Sequence, residues 1–343
     1  MKGVAYLGNG RVEVREYPVP KPGPGEVLVE LKSAGICGSD LHKYHRDEEW
    51  AEARNGMIAG HEGAGVVVAL GPGIEDSVPM IGVGDRVSIY HSLGCGRCAY
   101  CLEGMPVFCR HEGAFGRTRD GCHANYVTAP ASMCLPLPDA CSFPTGALLA
   151  CTAGTAYAAV MKLGLQRRDP AAIFGLGPVG LSSLLVARAL DYEAYGIDIQ
   201  PYRIALAERV APGKVIDGSI GSVPERILEA TDGIGVAGAI ECSGSGRARA
   251  DAVASTRVRG TVVLVGVGDQ EMPIDPERII RKELSLRGNA VYSTGDYFRA
   301  VDSILTHRLD LDTTITHRFP ISDAVEAFSI FDTGKTGKVV FEW

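Results

Sequence analysis

The 343-residue sequence has no apolar run long enough to cross a bilayer and no excess of positive charge. A transmembrane helix needs about 20 consecutive apolar residues. A net charge of −7 gives no basic surface for nucleic acid or an anionic membrane. The chain begins MKGVAYLGNGRVEV, which alternates like a strand and does not resemble a signal peptide. We therefore expect a cytoplasmic protein that binds neither nucleic acid nor membrane.

Internal repeats and low-complexity segments are also absent, and the length suits two domains. Short strand patterns broken by Pro and Gly run to about Leu137, which predicts a mainly β region. From about Thr152, apolar strands alternate with helical stretches, which predicts an α/β domain with a doubly wound parallel sheet. The tail ends in the strand pattern KVVFEW and is expected to pack back onto the first half. The predicted divisions are 1–151, 152–288 and 289–343.

Cysteine is abundant, with ten residues, and four of them lie in the run CGRCAYCLEGMPVFC. Two, two and seven residues separate these four, a spacing that lets one short loop surround a tetrahedral ion. Disulfides fit poorly with a chain that carries no export signal, and the spacing matches neither ferredoxin pattern for iron–sulfur clusters. Because Zn²⁺ accepts four thiolates with no water left over, the run predicts a closed structural zinc site. Its ligands would be Cys95, Cys98, Cys101 and Cys109.

A glycine-rich turn, FGLGPVG, follows the strand pattern AAIF and precedes the helix pattern LSSLLVARAL. Gly175, Gly177 and Gly180 match the dinucleotide fingerprint, in which glycines allow a tight turn, approach of a pyrophosphate and close helix packing. The helix N-terminus adds free N–H groups for the phosphates. Pro178 and Val179 are further candidate cofactor contacts.

The next strand pattern, YGID, ends at Asp198, eighteen residues after Gly180. A carboxylate there can accept hydrogen bonds from the adenosine ribose and would repel a 2′-phosphate, so NAD is favoured over NADP. The alternative is that Asp198 caps the helix that begins at Pro201. Arg203 could help to hold a 2′-phosphate, although it more simply lies along the ribose and phosphates.

Several short motifs in one order carry a family resemblance. They are CGSDLH at 37–42, GHE at 60–62, the four-cysteine run, the glycine turn and the ending GKTGKVVFEW. Together they resemble the zinc-dependent alcohol dehydrogenases of the medium-chain dehydrogenase/reductase superfamily, over essentially the whole chain. The resemblance implies a mainly β GroES-like catalytic domain, a Rossmann domain, a second and open zinc site, and hydride transfer between an alcohol and NAD. It also implies a homo-oligomer, a dimer or a tetramer.

The resemblance further assigns the ligands of the open zinc site. Cys37 and His61 are two of them. Cys151, in ALLACTAGTAY, resembles the third ligand of the alcohol dehydrogenase members, whereas polyol and threonine dehydrogenase members are expected to have a glutamate near here and this chain has no carboxylate between Asp139 and Asp169. The alternative for Cys151 is a small buried core residue. Glu62 resembles the acid that lies behind the metal and can approach it, or else it is an ordinary carboxylate near the site.

The remaining roles concern proton transfer and cofactor contact. By resemblance, Ser39 takes the alcohol proton and His42 releases it to solvent, since the unperturbed pKa of histidine is close to neutral. Asp40 is expected to orient the imidazole of His61. Thr155 is a further candidate cofactor contact.

The other histidines and cysteines are expected to be packing or surface residues. Tyr44 and Trp50, in the charged segment after His42, could reach a substrate cleft. Two alternatives to an alcohol dehydrogenase stay open from sequence: a polyol, sugar or amino-alcohol dehydrogenase on the same scaffold, and a non-catalytic nucleotide-binding protein.

Overall fold

Two large sheets organise the computed structural model, which describes residues 1–74, 81–268 and 273–343. The described strands are β1 Lys2–Gly8, β2 Arg11–Glu16, β3 Glu26–Ile36, β4 Glu62–Leu70, β5 Arg86–Ile89, β6 Ser92–Leu93, β7 Gly113–Ala114, β8 Tyr126–Pro130, β9 Cys134–Pro136, β10 Pro170–Phe174, β11 Glu193–Asp198, β12 Val215–Asp217, β13 Val236–Glu241, β14 Thr256–Leu264, β15 Ser285–Gly288, β16 Ile315–Phe319 and β17 Lys338–Glu342.

The α-helices lie mostly in the second half of the chain. Those described are α1 Gly38–Tyr44, α2 Glu48–Glu52, α3 Ala99–Leu102, α4 Phe143–Ala150, α5 Thr152–Lys162, α6 Pro178–Ala189, α7 Pro201–Val210, α8 Val223–Ala230, α9 Gly246–Ser255, α10 Pro276–Lys282, α11 Thr294–His307 and α12 Ala324–Asp332. Short 3₁₀ helices lie at Pro106–Phe108, Ala131–Met133, Leu311–Thr314 and Ile321–Asp323.

The first sheet has the described order β16-β17-β3-β4-β5-β9, and β8 pairs with β3. The long strand β3 is antiparallel to β4 and to β17, so strands from the two ends of the chain lie side by side. In this register Gly35 of β3 lies opposite both Glu62 and Val340. Most of β3 is buried, because it is an interior strand with neighbours on both sides.

The second sheet is parallel throughout its described strands, with the order β12-β11-β10-β13-β14-β15. This is the strand order of a doubly wound dinucleotide-binding sheet, so the predicted α/β fold class is confirmed. In such a sheet the carboxyl ends of the strands meet at one edge and ligands bind in the crevice outside it. The glycine turn follows β10 at this edge, and Asp198 ends β11 there.

The two sheets are joined through α4 and α5, which are almost entirely buried. One apolar core includes Leu148, Ala153 and Tyr157 from these helices, Ile173 from the parallel sheet and Tyr297 from α11. Among the described helices, none alone is long and apolar enough to span a membrane. The pair Phe143–Ala150 and Thr152–Lys162, bent by 58°, meets that length and composition test when taken together.

Candidate active site

The four-cysteine run forms a loop between β6 and β7 that gathers its thiols around one point. The sulfur atoms of Cys95, Cys98, Cys101 and Cys109 all lie within 4.8 Å of one another. Two thiolates on a tetrahedral zinc at about 2.3 Å are separated by about 3.8 Å, so this spacing suits the ion. Backbone amides of Arg97 and Cys98 lower the pKa of Cys95 to about 6, which favours the thiolate that zinc requires.

A second cluster brings together side chains that are far apart in sequence. Ligand atoms of Cys37, His61, Glu62 and Cys151 lie within 4.8 Å of one another. Cys37 follows the end of β3, and His61 precedes the start of β4. The antiparallel pairing of β3 with β4 therefore places them side by side. Cys151 arrives from the break between α4 and α5.

Hydrogen bonding within this cluster fixes its protonation before a metal binds. A hydrogen bond from Cys151 lowers the pKa of Cys37, and the same bond raises the pKa of Cys151. Burial opposes protonation of His61, but Asp40 and Cys37 outweigh it and raise its pKa to about 10. Binding of Zn²⁺ must therefore displace protons, as it does at sites built from thiols and imidazole. Two sulfurs and one nitrogen suit this ion.

Asp40 orients His61, as the sequence predicts. Its Oδ1 lies 3.2 Å from Nδ1 of His61, which leaves Nε2 of the ring for a metal. The carboxylate is fully buried and also accepts hydrogen bonds from the hydroxyl of Tyr6 at 3.1 Å and the ammonium of Lys43 at 3.4 Å. Its Oδ2 accepts a bond from the backbone N–H of Cys37 at 2.9 Å. One carboxylate thus fixes two members of the cluster.

Glu62 is held from behind by a buried cation that sequence reasoning missed. Lys338 of β17 forms an ion pair with Oε2 of Glu62, and both side chains have no exposed surface. The hydroxyl of Thr152 donates to Oε1 of Glu62 at 2.7 Å and accepts from Lys338 at 3.0 Å. Burial raises the pKa of Glu62 to about 7, although Lys338 opposes this rise. A side chain at Gly35 would collide with this pair, since its Cβ would lie 2.3 Å from Oε2.

Ser39 and His42 lie on α1, three residues apart, and both are exposed. Residues at this spacing are neighbours on one helix face. The hypothesis that Tyr44 reaches a substrate cleft is wrong, because Tyr44 is buried against Phe328 with ring centroids 5.4 Å apart. Trp50 is partly buried and packs against the same core, with its ring centroid 6.1 Å from that of Tyr6. A contact of Trp50 with substrate stays a prediction.

His91 is a second residue that the sequence did not single out. Its ring is buried with its centroid 5.3 Å from that of His61, and its Nδ1 donates to the carbonyl of Ala150 at 2.8 Å. Burial lowers its pKa to about 4, so the ring is neutral near pH 7. A lone histidine between strand residues gives no sequence signal. By contrast, the four cysteines outside the two clusters were expected to be packing residues, and they lie in or against the apolar cores.

The glycine turn has the geometry expected of a pyrophosphate loop. Gly175 has φ +85°, and a Cβ at Gly180 would lie 1.8 Å from the carbonyl oxygen of Gly175. These two glycines are therefore required for the turn and for the close approach of the helix. Gly177 precedes α6, where Pro178 and Val179 occupy the first turn. In sheets of this kind, the free N–H groups at such a helix start are available to a ligand in the crevice outside the strand ends.

Asp198 is already hydrogen-bonded to the backbone around this turn. Oδ2 accepts from the N–H of Leu176 at 2.6 Å, and Oδ1 accepts from Ile199 and Gln200 at 2.8 Å each. The carboxylate therefore ties the end of β11 to the glycine turn. Since a carboxylate offers about four acceptor positions, capacity remains for a ribose hydroxyl. The alternative that it caps α7 finds no support, because Gln200 occupies the N-cap position and no side chain caps it.

Two residues of the predicted cofactor set carry buried polar atoms without a hydrogen-bond partner. Within the described ranges, Oγ1 of Thr155 and Nε of Arg203 have no hydrogen-bond partner. Unsatisfied buried groups are costly, and a bound molecule is one way to satisfy them. Arg203 lies beside the turn, because a Cβ added at Gly177 would be 3.9 Å from the guanidinium group of Arg203. Both residues belong to the predicted cofactor set.

Comparison with known proteins covers both halves of the chain. Residues 23–139 match the alcohol dehydrogenase GroES-like domain, and residues 178–306 match the zinc-binding dehydrogenase domain. The chain is 36% identical to the uncharacterized zinc-type alcohol dehydrogenase-like protein YphC of Escherichia coli K12, over 99% of this chain and 98% of that protein. It is 36% identical to the L-threonine 3-dehydrogenase of Pyrococcus horikoshii, over 96% of this chain and 94% of that enzyme.

A solved structure extends the likeness to the whole fold. The crystal structure of galactitol-1-phosphate dehydrogenase from Escherichia coli superposes with a TM-score of 0.88 at 26% identity, covering 100% of both chains. Family match, relatives and structure therefore agree with the metal cluster and the parallel sheet. The chain is an enzyme, an oxidoreductase acting on small molecules, and it belongs to the zinc-dependent alcohol dehydrogenase family of the medium-chain dehydrogenase/reductase superfamily.

Proposed function

We propose that this enzyme oxidises an alcohol to an aldehyde or ketone with NAD, using one catalytic and one structural zinc per chain. The observation that carries the proposal is the convergence of Cys37, His61 and Cys151 from three separate segments. Three protein ligands leave one position of a tetrahedral ion for substrate, as catalytic zinc sites require. Glu62 belongs to the same cluster of possible ligands, and its carboxylate is paired with Lys338.

When bound, zinc would supply Lewis-acid stabilisation of the negative charge that develops on the substrate oxygen. The protein's own residues would move the proton. Ser39 takes it from the hydroxyl, and the exposed His42 passes it to solvent. Asp40 keeps His61 in the tautomer that can bind a metal.

The cofactor site supports NAD rather than NADP. Asp198 places a buried negative charge at the end of β11, where it would repel a 2′-phosphate. Gly175, Gly177 and Gly180 shape the pyrophosphate loop, and the buried hydroxyl of Thr155 has no partner in the protein that would compete with a ligand. Arg203 is proposed to lie along the ribose and phosphates. NAD would carry the hydride, while these residues orient it.

A substrate with a second polar group is the second candidate. The relatives include an L-threonine 3-dehydrogenase, and a similar structure is a galactitol-1-phosphate dehydrogenase. A polyol, sugar or amino-alcohol substrate is therefore as consistent with the family as a simple alcohol. His91 could accept a hydrogen bond from such a group through Nε2, because its Nδ1–H is bonded to Ala150 and its ring lies next to that of His61.

We propose the division into a catalytic domain at 1–151, a nucleotide-binding domain at 152–288 and a returning segment at 289–343. A homo-oligomer, dimer or tetramer, and a cytoplasmic location stay predictions.

Metal content and turnover test the function together. The wild-type enzyme should hold two zinc ions per chain and reduce NAD⁺ with members of a panel of primary and secondary alcohols, diols, polyols and L-threonine. Cys37→Ser should hold one zinc and produce no NADH. Cys141→Ala is the matched control, because this buried thiol lies outside both clusters, and it should keep both metals and the activity. Two zinc ions and full activity in Cys37→Ser would refute the assignment.

A further inference from the structure

Cys151 lies at a break between two helices, and this break determines where its thiol points. Helix α4 ends at Ala150 and α5 begins at Thr152, with a bend of 58° between them. Cys151 itself has φ −147° and ψ −68°. The last carbonyl groups of a helix have no partner within that helix. Whatever binds the carbonyls of Leu149 and Ala150 therefore controls the angle of the break.

Tyr292 is one of two side chains that provide those hydrogen bonds; the other is His91, whose Nδ1 donates to the carbonyl of Ala150 at 2.8 Å. The hydroxyl of Tyr292 shares one proton between the carbonyl oxygen of Leu149 at 2.6 Å and that of Ala150 at 3.0 Å, and the shorter bond to Leu149 is the main one. The side chain is 1% exposed, although it comes from the segment between β15 and α11, far along the chain. Gly154 makes room for the ring, because a Cβ there would lie 2.4 Å from it. The backbone of Tyr292 is fixed in turn by the hydroxyl of Tyr90, which donates to its carbonyl at 2.6 Å.

The segment that contains Tyr292 also contacts α5, the helix that follows Cys151. The side-chain amide of Asn289 donates to the carbonyl of Thr155 at 3.3 Å and to that of Val291 at 3.0 Å. Val291 has φ +57°, a left-handed conformation that is rare for a β-branched residue. Such strain persists only where surrounding contacts determine the backbone. Residues 289–292 thus contact the chain both before and after the proposed metal ligand.

We propose that Tyr292 is a positioning residue that sets the direction of the Cys151 thiolate by holding the carbonyls at the helix break. The inference rests on the proposed ligand set of Cys37, His61 and Cys151. Tyr292 touches neither metal nor substrate in this role. It acts through the backbone that carries Cys151, in the way that groups behind a metal ligand tune the ligand's geometry.

The test uses the metal-loaded enzyme and the variant Tyr292→Phe, which removes only the hydroxyl. Tyr297→Phe is the matched control, since its buried hydroxyl also donates to a backbone carbonyl, that of Pro136 at 2.9 Å. Each variant is loaded with Co²⁺, and its absorption is subtracted from that of the wild type, so that the unchanged four-cysteine site cancels. Competition with a chelator then gives the affinity of the site, and thermal unfolding gives the loss of stability.

We expect Tyr292→Phe to shift the thiolate-to-cobalt and d–d bands and to weaken metal binding by about tenfold or more. Tyr297→Phe should lower the unfolding temperature similarly but leave the bands and affinity unchanged. Tyr90→Phe removes the hydrogen bond to the carbonyl of Tyr292 and should shift the bands less, in the same direction. This variant tests the proposal if Tyr292→Phe does not fold. Unchanged bands and affinity in Tyr292→Phe and Tyr90→Phe, or equal shifts in Tyr297→Phe, would overturn the proposal.

Cys151→Ser separates this proposal from the ligand assignment beneath it. If Cys151→Ser leaves the cobalt spectrum unchanged, the ligand set itself is wrong. If Cys151→Ser alters the spectrum while Tyr292→Phe does not, the ligand set stands and only the positioning role fails.

Discussion

The buried ion pair between Lys338 and Glu62 gives the sharpest stability prediction. Lys338→Met keeps the length of the side chain but leaves the carboxylate of Glu62 without its cation. Both groups are wholly buried, so solvent cannot replace the lost partner. Removing one partner of a buried pair costs about 3–5 kcal/mol. Without Lys338 to lower its pKa, Glu62 must either stay charged and uncompensated or take up a proton, and both are unfavourable. The hydroxyl of Thr152 still binds Glu62 but carries no charge to offset it.

The assay is urea unfolding of the metal-free enzyme, in which Lys338 is the cation paired with Glu62, at pH 8, above the pKa of about 7 that burial gives this carboxyl in the intact pair. Lys338→Met should lower the free energy of unfolding by about 3–5 kcal/mol. The double variant Glu62→Gln with Lys338→Met should lose less than the sum of the two single variants, since it leaves no unpaired charge.

An exposed ion pair supplies the control. Arg281 and Glu277 lie one turn apart on α10, and their side chains are 75% and 65% exposed. Arg281→Met should cost at most about 0.5 kcal/mol. A loss at Lys338→Met no larger than that of Arg281→Met would refute the argument that burial makes the inner pair important.

Three further predictions concern pH, cofactor and metal. Burial lowers the pKa of His123 to about 4, below its unfolded value of about 6.5, so its contribution to stability is lost as the pH falls from about 6.5 to about 4. In this pH range, His123→Asn should reduce the slope of the unfolding free energy against pH by an amount equivalent to at most one proton. An unchanged slope would contradict this. Asp198→Asn should lower the preference for NAD⁺ over NADP⁺, measured as the ratio of kcat/KM values, by about tenfold or more, because a charge-assisted hydrogen bond and the repulsion of a 2′-phosphate are both lost. An unaltered ratio would show that Asp198 only stabilises the glycine turn and does not select the cofactor. Cys98→Ser should release one zinc and lower the unfolding temperature, while kcat per chain that still holds the other zinc changes little. A loss of kcat as large as that in Cys37→Ser would show that the four-cysteine site is not purely structural.

The parallel sheet, the glycine turn and the four-cysteine loop could be predicted from the sequence because each is local. Periodicity and spacing within a few residues determine them. The approach of Cys37 to His61 depends on the register of β3 against β4, which no local pattern shows, so it was available only through the family resemblance.

The errors and omissions have a common physical reason. Lysine is rarely buried, so nothing in the ending GKTGKVVFEW suggested that Lys338 would lie beside Glu62. Trp50 stands among charged residues, which favoured an exposed loop, but its ring packs on Tyr6. In each case the decisive partner lies in another strand, and tertiary packing overrides the local composition.

The position of β17 has a consequence for how the protein is made. This strand lies between β16 and β3 in the first sheet, although about 300 residues separate it from β3 along the chain. Until it is synthesised, the backbone groups on that edge of β3 lack their partners and Glu62 lacks its cation. Contacts of such large sequence separation form late and slowly. During translation the first sheet therefore cannot be completed until the parallel-sheet half of the chain has emerged from the ribosome. Until then one edge of β3 is unpaired and prone to association.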